Sequence, residues 1–258
     1  MDSSIIENNI RQKLTEIESR EQVRIICCVE SGSRAWGFAS PDSDYDARFI
    51  YVRRPEFYLR LGKTRDVIEW QLDDVYDING WDLQKTLRLL HGSNPTLFEW
   101  LGSPIVYRTS DDLQKLAEVS KAYFNAYGSV RHYMSMAHNN LKAYLGGETV
   151  KLKKYFYVIR PILAARWVID NGTPPPVLFS ELVEAEPEPA LKGVIGELLE
   201  RKKQTSELGK AAHIAELDEY IEKSLSELLE RAERITPTGI KDWEPLDELF
   251  LEMIGKPK

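Results

Sequence analysis

Hydrophobic and polar positions alternate in two distinct regimes along this chain. In residues 5–20, Ile5, Ile6, Ile10, Leu14 and Ile17 recur near one helical face, which predicts an amphipathic helix. Val23 to Val29 is a β-branched run, apolar but for Arg24, and predicts a buried strand ending just before Ser31-Gly32. Asp46 to Val52 predicts a second strand, with two more at 66–70 and 75–81; the last runs into a helix over 83–90. Asn94-Pro95 marks a turn before a short helix at 96–101. From about Asp111 the helical period takes over, predicting helices at 111–127, 129–145, 150–170, 191–203, 207–234 and 245–254. The proline run Thr173–Pro176 and the acidic, proline-spaced 184–189 predict loops. No internal repeat is present. The pattern predicts a small mixed α/β domain over residues 1–110 and a helical domain over 111–258.

At 258 residues, with 43% hydrophobic and 29% charged positions, the chain has material for a sizeable core. No stretch approaches the roughly 18 apolar residues needed to span a bilayer. Met1-Asp2-Ser3-Ser4 opens no basic-then-apolar leader. Cys27 and Cys28 are adjacent on the predicted first strand and so point to opposite faces, as small reduced residues. These features give the expectation of a cytoplasmic protein with no membrane partner. A net charge of −7 argues against broad non-specific nucleic-acid binding. That total hides an uneven distribution: Arg131 to Arg166 holds seven basic residues and one acid, whereas Glu181 to Arg234 holds fourteen acids and eight bases.

Candidate chemistry is concentrated in Val29-Glu30-Ser31-Gly32-Ser33-Arg34-Ala35-Trp36-Gly37-Phe38 and Ser43-Asp44-Tyr45-Asp46. An apolar strand runs into Gly-Ser, ten residues intervene, and Asp-x-Asp opens the next strand. Gly32 leaves room for backbone to approach a phosphate, and Ser33 offers a hydroxyl and an N–H. Asp44 and Asp46, two apart in extended chain, project to one face. Carboxylates held ~4 Å apart repel by about 4 kcal/mol at an effective dielectric near 20, so such a pair needs a proton or a cation. With no His or Cys nearby, oxygen ligation favours Mg²⁺ or Mn²⁺ over zinc. Arg48 shares a strand face with Asp46, near any bound metal or phosphate; Arg34 and Arg48 are both candidate nucleotide-binding residues, and Trp36 and Phe38 are packing residues.

The spacing Gly32-Ser33-x10-Asp44-x-Asp46 resembles the signature of the DNA-polymerase-β nucleotidyltransferase superfamily. The segments GSRAWGF, SDYDARFIYV, SNPTLFEWLGSPIVY and KKYFYVIRPILAARW, spanning about residues 25 to 170, are similar to the YcgL-like, RlaP-like group within it. The resemblance implies an α+β fold: a polymerase-β-type α/β domain with a mixed sheet, followed by an all-helical domain. It implies a metal-dependent enzyme that transfers a nucleoside monophosphate from an NTP to an acceptor hydroxyl, the acceptor being an RNA end in an RNA-repair setting. It also implies a third carboxylate on a neighbouring strand. Asp73, Asp74, Asp77 and Asp82 are the candidates; YDINGWDLQKTLRLL favours Asp77, which would join Asp44 and Asp46 on the metal and activate the acceptor hydroxyl. Asp82 is second and also suits a helix N-cap.

In the helical domain, Lys151, Lys153, Lys154, Arg160 and Arg166 form an acid-free run with Tyr155, Phe156, Tyr157 and Trp167. Lys153, Tyr157 and Arg160 share a face by spacing, whereas the resemblance stresses Lys154, Tyr155, Arg160 and Arg166 as a nucleotide-binding wall. Pro161 frees a carbonyl near Tyr157 and predicts a kink. From the two sets follows the expectation of a cleft in which Lys154, Arg160 and Arg166 face Asp44 and Asp46. His91, His132, His138 and His213 show no metal spacing, and the 207–234 helix has the spacing of a scaffold or dimer element. Two other functions fit the same residues: a nucleotide sensor without turnover, against which the intact Asp-x-Asp counts, and protein nucleotidylation of the antitoxin type. The oligomeric state, the base of the NTP and the acceptor are not encoded legibly.

Overall fold

A computed structural model describes residues 3–204, 210–237, 239 and 241–255. The chain divides into two compact units, one of Met1–Ala35, Asp44–Tyr123 and Gly239–Lys258, the other of Trp36–Ser43 and Phe124–Thr238. It is an α+β protein with a five-stranded mixed sheet and several helices.

In the first unit α1 (Ser3–Glu21) leads into β1 (Arg24–Glu30), the one-turn α2 (Gly32–Ala35) and β2 (Tyr45–Val52). A short α3 (Pro55–Tyr58) precedes the hairpin of β3 (Val67–Leu72) and β4 (Tyr76–Asp82); α4 (Leu83–His91), α5 (Pro95–Leu101), β5 (Val106–Arg108) and α6 (Asp111–Tyr123) follow. The sheet order is β3-β4-β2-β1-β5. β2 and β4 run parallel, and every other pairing is antiparallel.

Alternation along the strands sorts chemistry from packing. Ala47, Phe49 and Tyr51 of β2 and Tyr76 and Ile78 of β4 join Ile6, Ile10, Leu14 and Ile17 of α1 in one apolar cluster. Asp46 and Arg48, and Asp77 and Asn79, therefore emerge on the opposite face. Gly80 sits opposite Phe49 in this register, and a Cβ there would lie inside the Phe49 ring. Polar caps set the helix starts. Asp82 accepts from Gln84 N, and Asn94, ahead of Pro95, accepts from Thr96 N and Leu97 N.

In the second unit α7 (Ala126–Tyr144) begins at the Asn125 cap, so the break after α6 falls earlier than the predicted 127/129 boundary. β6 (Val150–Lys151) then precedes α8 (Lys154–Asn171), α9 (Phe179–Ala185), α10 (Pro189–Gln204), β7 (Lys210–Ala211) and α11 (Ala215–Ala232). The final helix, α12 (Glu244–Ile254), belongs to the first unit. Besides the early end of α6, two predicted helices start later than expected. The one predicted from 150 starts at Lys154, because Val150–Lys151 pairs with Lys210–Ala211 as a strand. The one predicted from 207 starts at Ala215; its first predicted residues, 207–209, lie outside the described residues. α8 is buried along most of its length and packs on α7, α9 and α11. It continues through Pro161. The Tyr157 carbonyl, which the proline cannot satisfy, accepts from Asn140 Nδ2 of α7 at 2.7 Å. Among the described residues no helix is long and apolar enough to cross a membrane.

Candidate active site

The site starts at the end of β1. Glu30 is fully buried although charged residues rarely are. Its Oε1 accepts from the Asp46 backbone N–H at 2.7 Å, and its Oε2 accepts from the Tyr107 hydroxyl. Ser103 Oγ donates to the Glu30 carbonyl at 2.6 Å, and Ser31 N donates to the Asp46 carbonyl at 2.9 Å. Asp46 is thus held through its own backbone from two sides. Burial pushes the Glu30 carboxyl up to about 7, with the Tyr107 and Asp46 hydrogen bonds opposing. The motif itself gives Glu30 no role; its signal in the sequence is an acid closing a strand that is apolar from Ile25 to Val29.

Gly32 has φ +62, and a Cβ built on it would fall within contact of the Asp46 carboxylate, 2.9 Å from Cγ. The glycine is therefore required by the approach of the turn to Asp46. Ser33 is buried beside it. Arg34 is engaged with the loop, its Nε donating to the Asp44 carbonyl at 2.9 Å and its guanidinium lying 3.7 Å over the Tyr45 ring.

Parallel pairing of β2 with β4 sets Asp46 directly beside Asp77, about 4.8 Å apart in the backbone. Arg48 joins them. Its Nη2 donates to Asp46 Oδ1 at 2.8 Å and to Asp77 Oδ2 at 2.6 Å, while Nη1 donates to the Asp77 carbonyl at 2.6 Å. Asn79 Nδ2 adds a bond to Asp77 Oδ1 at 3.2 Å. Burial raises the Asp46 carboxyl to about 6, partly offset by Arg48 and reinforced by the charges of Asp44 and Asp77. Asp44 is exposed and lies just ahead of β2. Carboxylate oxygens are the donors Mg²⁺ and Mn²⁺ prefer, and a guanidinium held between Asp46 and Asp77 marks a place where a cation is stabilised. Asp46 and Asp77 are therefore donors of the kind a hard divalent ion takes. Among the described residues, no three side chains of His, Cys, Asp or Glu converge closely enough to chelate one.

The other candidates have local settings of their own. Asp82 caps α4 through Gln84 N at 2.8 Å and accepts from the Tyr58 hydroxyl at 3.0 Å. Asp73 shapes the β3–β4 turn by accepting from Val75 N and Tyr76 N, and Asp74 is exposed beside it. In the second unit Lys154 lies 4.0 Å over the Tyr144 ring and 4.9 Å over Tyr157, its pKa lowered by burial and by Lys153 and Lys151. Tyr155 is fully buried, and its hydroxyl donates to Asp218 and accepts from Ile214 N. The Arg160 guanidinium is buried 4.2 Å over the Trp36 ring. Arg166 pairs with buried Glu186 at 3.3 Å and with Glu227 at 3.2 Å. The run that is acid-free along the chain is thus not acid-free in space, since Arg166 meets Glu186 and Glu227.

Comparison with known proteins identifies the family. Residues 6–252 match the model of the RlaP family, described as an RNA repair pathway DNA polymerase beta family. The chain is 47% identical over 254 residues to the uncharacterized protein YcgL of Bacillus subtilis (strain 168), covering 96% of each. A crystal structure of a nucleotidyltransferase-like protein from Exiguobacterium sibiricum 255-15 shares 14% identity. It covers 96% of this chain and 79% of that one with a TM-score of 0.32, a likeness too slight to carry any argument. The chain belongs to the RlaP family, of polymerase-β type.

Proposed function

We propose that this member of the RlaP family transfers a nucleoside monophosphate from an NTP to an acceptor hydroxyl, with an RNA end as acceptor and pyrophosphate as the second product. The observation that carries the reading is the register pair Asp46–Asp77, fixed beside the Gly32–Ser33 turn. Mg²⁺ or Mn²⁺ held by Asp46 and Asp77, with Asp44 brought to them from the loop ahead of β2, would supply charge stabilisation for the attacking and leaving oxygens. Glu30 positions Asp46 by taking its backbone N–H. The turn offers Ser33 to the phosphates, Arg48 supplies a positive charge beside them, and Arg34 braces the loop. Asp77 takes the proton of the acceptor hydroxyl as the new P–O bond forms and the pyrophosphate oxygen leaves.

The test is incubation of the purified protein with each of the four α-labelled NTPs, Mg²⁺, and total RNA or a cell lysate. Label should move to RNA with the parent protein and stay in the NTP with Asp46→Asn or Asp77→Asn. Label on ribonuclease-resistant protein would replace RNA by protein as the acceptor. Nucleotide binding with no transfer to either pool would refute the enzyme reading in favour of a sensor.

A further inference from the structure

We infer that Arg48 is a resident counter-cation of the Asp46–Asp77 pair and competes with a divalent ion for the same carboxylate oxygens; the inference rests on the metal reading above. Arginine carries a permanent charge and five donors with no acceptor. Here one guanidinium nitrogen, Nη2, is shared between Asp46 Oδ1 and Asp77 Oδ2. The other, Nη1, is anchored on the Asp77 backbone carbonyl, which the sheet fixes. The side chain of Arg48 is 14% exposed, and those of Asp46 and Asp77 are 19% and 26% exposed, so water screens the group poorly.

An ion on both carboxylates would have to bind at ~2.1 Å from oxygens that already accept from Nη2. A dication beside a monocation in a poorly screened place is strongly disfavoured. Arg48 must therefore release Nη2 to admit the ion, and the Nη1 anchor lets it do so without leaving the sheet. The consequence is a carboxylate pair that is charge-balanced by the chain itself, with a threshold for divalent ions set by one side chain. Arg48 is in this respect a positioning and gating residue.

The experiment is a Mn²⁺ titration by calorimetry and by thermal melting, with EDTA as reference, on the parent protein, Arg48→Met, Arg48→Lys and Arg48→Met/Asp77→Asn. Arg48→Met should melt lower than the parent in EDTA and gain more from Mn²⁺, binding it about tenfold more tightly. Arg48→Lys keeps the charge without the shared fork and should fall between. Adding Asp77→Asn to Arg48→Met should recover the melting temperature in EDTA, because a single carboxylate no longer needs a counter-cation. Mn²⁺ affinity in Arg48→Met equal to or weaker than the parent's overturns the inference. Should that variant fail to fold, a folded Arg48→Lys that binds no tighter than the parent overturns it equally. A parent protein that binds no Mn²⁺ would sink the metal reading itself, a different result from a parent that binds and a variant that binds the same.

Discussion

Substituting Gly32 by alanine tests whether the turn exists for Asp46. Two costs are separable. The residue has φ +62, where an L side chain costs about 1–2 kcal/mol. The added methyl would also lie within contact of the Asp46 carboxylate, 2.9 Å from Cγ and 3.5 Å from Cβ. To restore ordinary contact the carboxylate must withdraw by roughly 1 Å or more. Its Oδ1 is held by Arg48 Nη2 at 2.8 Å, and losing a charge-assisted hydrogen bond costs about 1.5–3 kcal/mol. Gly32→Ala should therefore destabilise by about 3–4 kcal/mol. In an Asp46→Ala background the nearest obstacle becomes the Cβ at 3.5 Å, an ordinary contact. Only the backbone cost should then remain, about 1–2 kcal/mol. Urea unfolding of the four proteins gives the coupling directly, and about 2 kcal/mol is expected. Additivity of the two substitutions within about 0.5 kcal/mol would refute the close approach and return Gly32 to the phosphate role.

Asp77→Asn should abolish nucleotide transfer while Asp82→Asn retains it, since only Asp77 pairs in register with Asp46; the reverse result in the labelling assay would exchange their roles. Burial raises Asp82 from 3.8 to about 6. The folded protein therefore favours the neutral acid, and this contribution is lost as pH rises from about 4 through 6. Asn still caps α4, so Asp82→Asn should be neutral near pH 4 and stabilising at pH 8 by roughly 2–3 kcal/mol, at about 1.4 kcal/mol for each pH unit between the two titrations; identical pH–stability curves would contradict this. Arg166→Ala strands buried Glu186 and should cost about 3 kcal/mol in urea unfolding, with Arg166→Ala/Glu186→Gln recovering much of it. An unchanged midpoint would show the pair to be idle. Gly80→Ala forces a methyl into the Phe49 ring and should cost about 1–3 kcal/mol, unless combined with Phe49→Leu.

What the sequence carried depends on how far the information had to travel. Period and capping are local, so α1, β1, β2, β4 and α4 appear within a residue or two of their predicted bounds. The three-residue β5 is too short to show a period, and β6 and β7 exist only by pairing across some sixty residues of chain. The site follows the same rule. Gly32, Ser33, Asp44 and Asp46 are adjacent enough to form a motif, but the choice between Asp77 and Asp82 is a matter of strand register, which no spacing encodes. Charge obeys the same rule: Arg166 lies in an acid-free run, yet the end of α9 and α11 bring Glu186 and Glu227 against it. Pro161 is the instructive contrast. Its freed carbonyl at Tyr157 was legible from sequence as a defect, but the remedy, Asn140 from another helix, was not. Buried polar groups demand partners, so each of these residues announced that something must meet it, Glu30 included. Sequence identifies such demands; only the fold names what answers them.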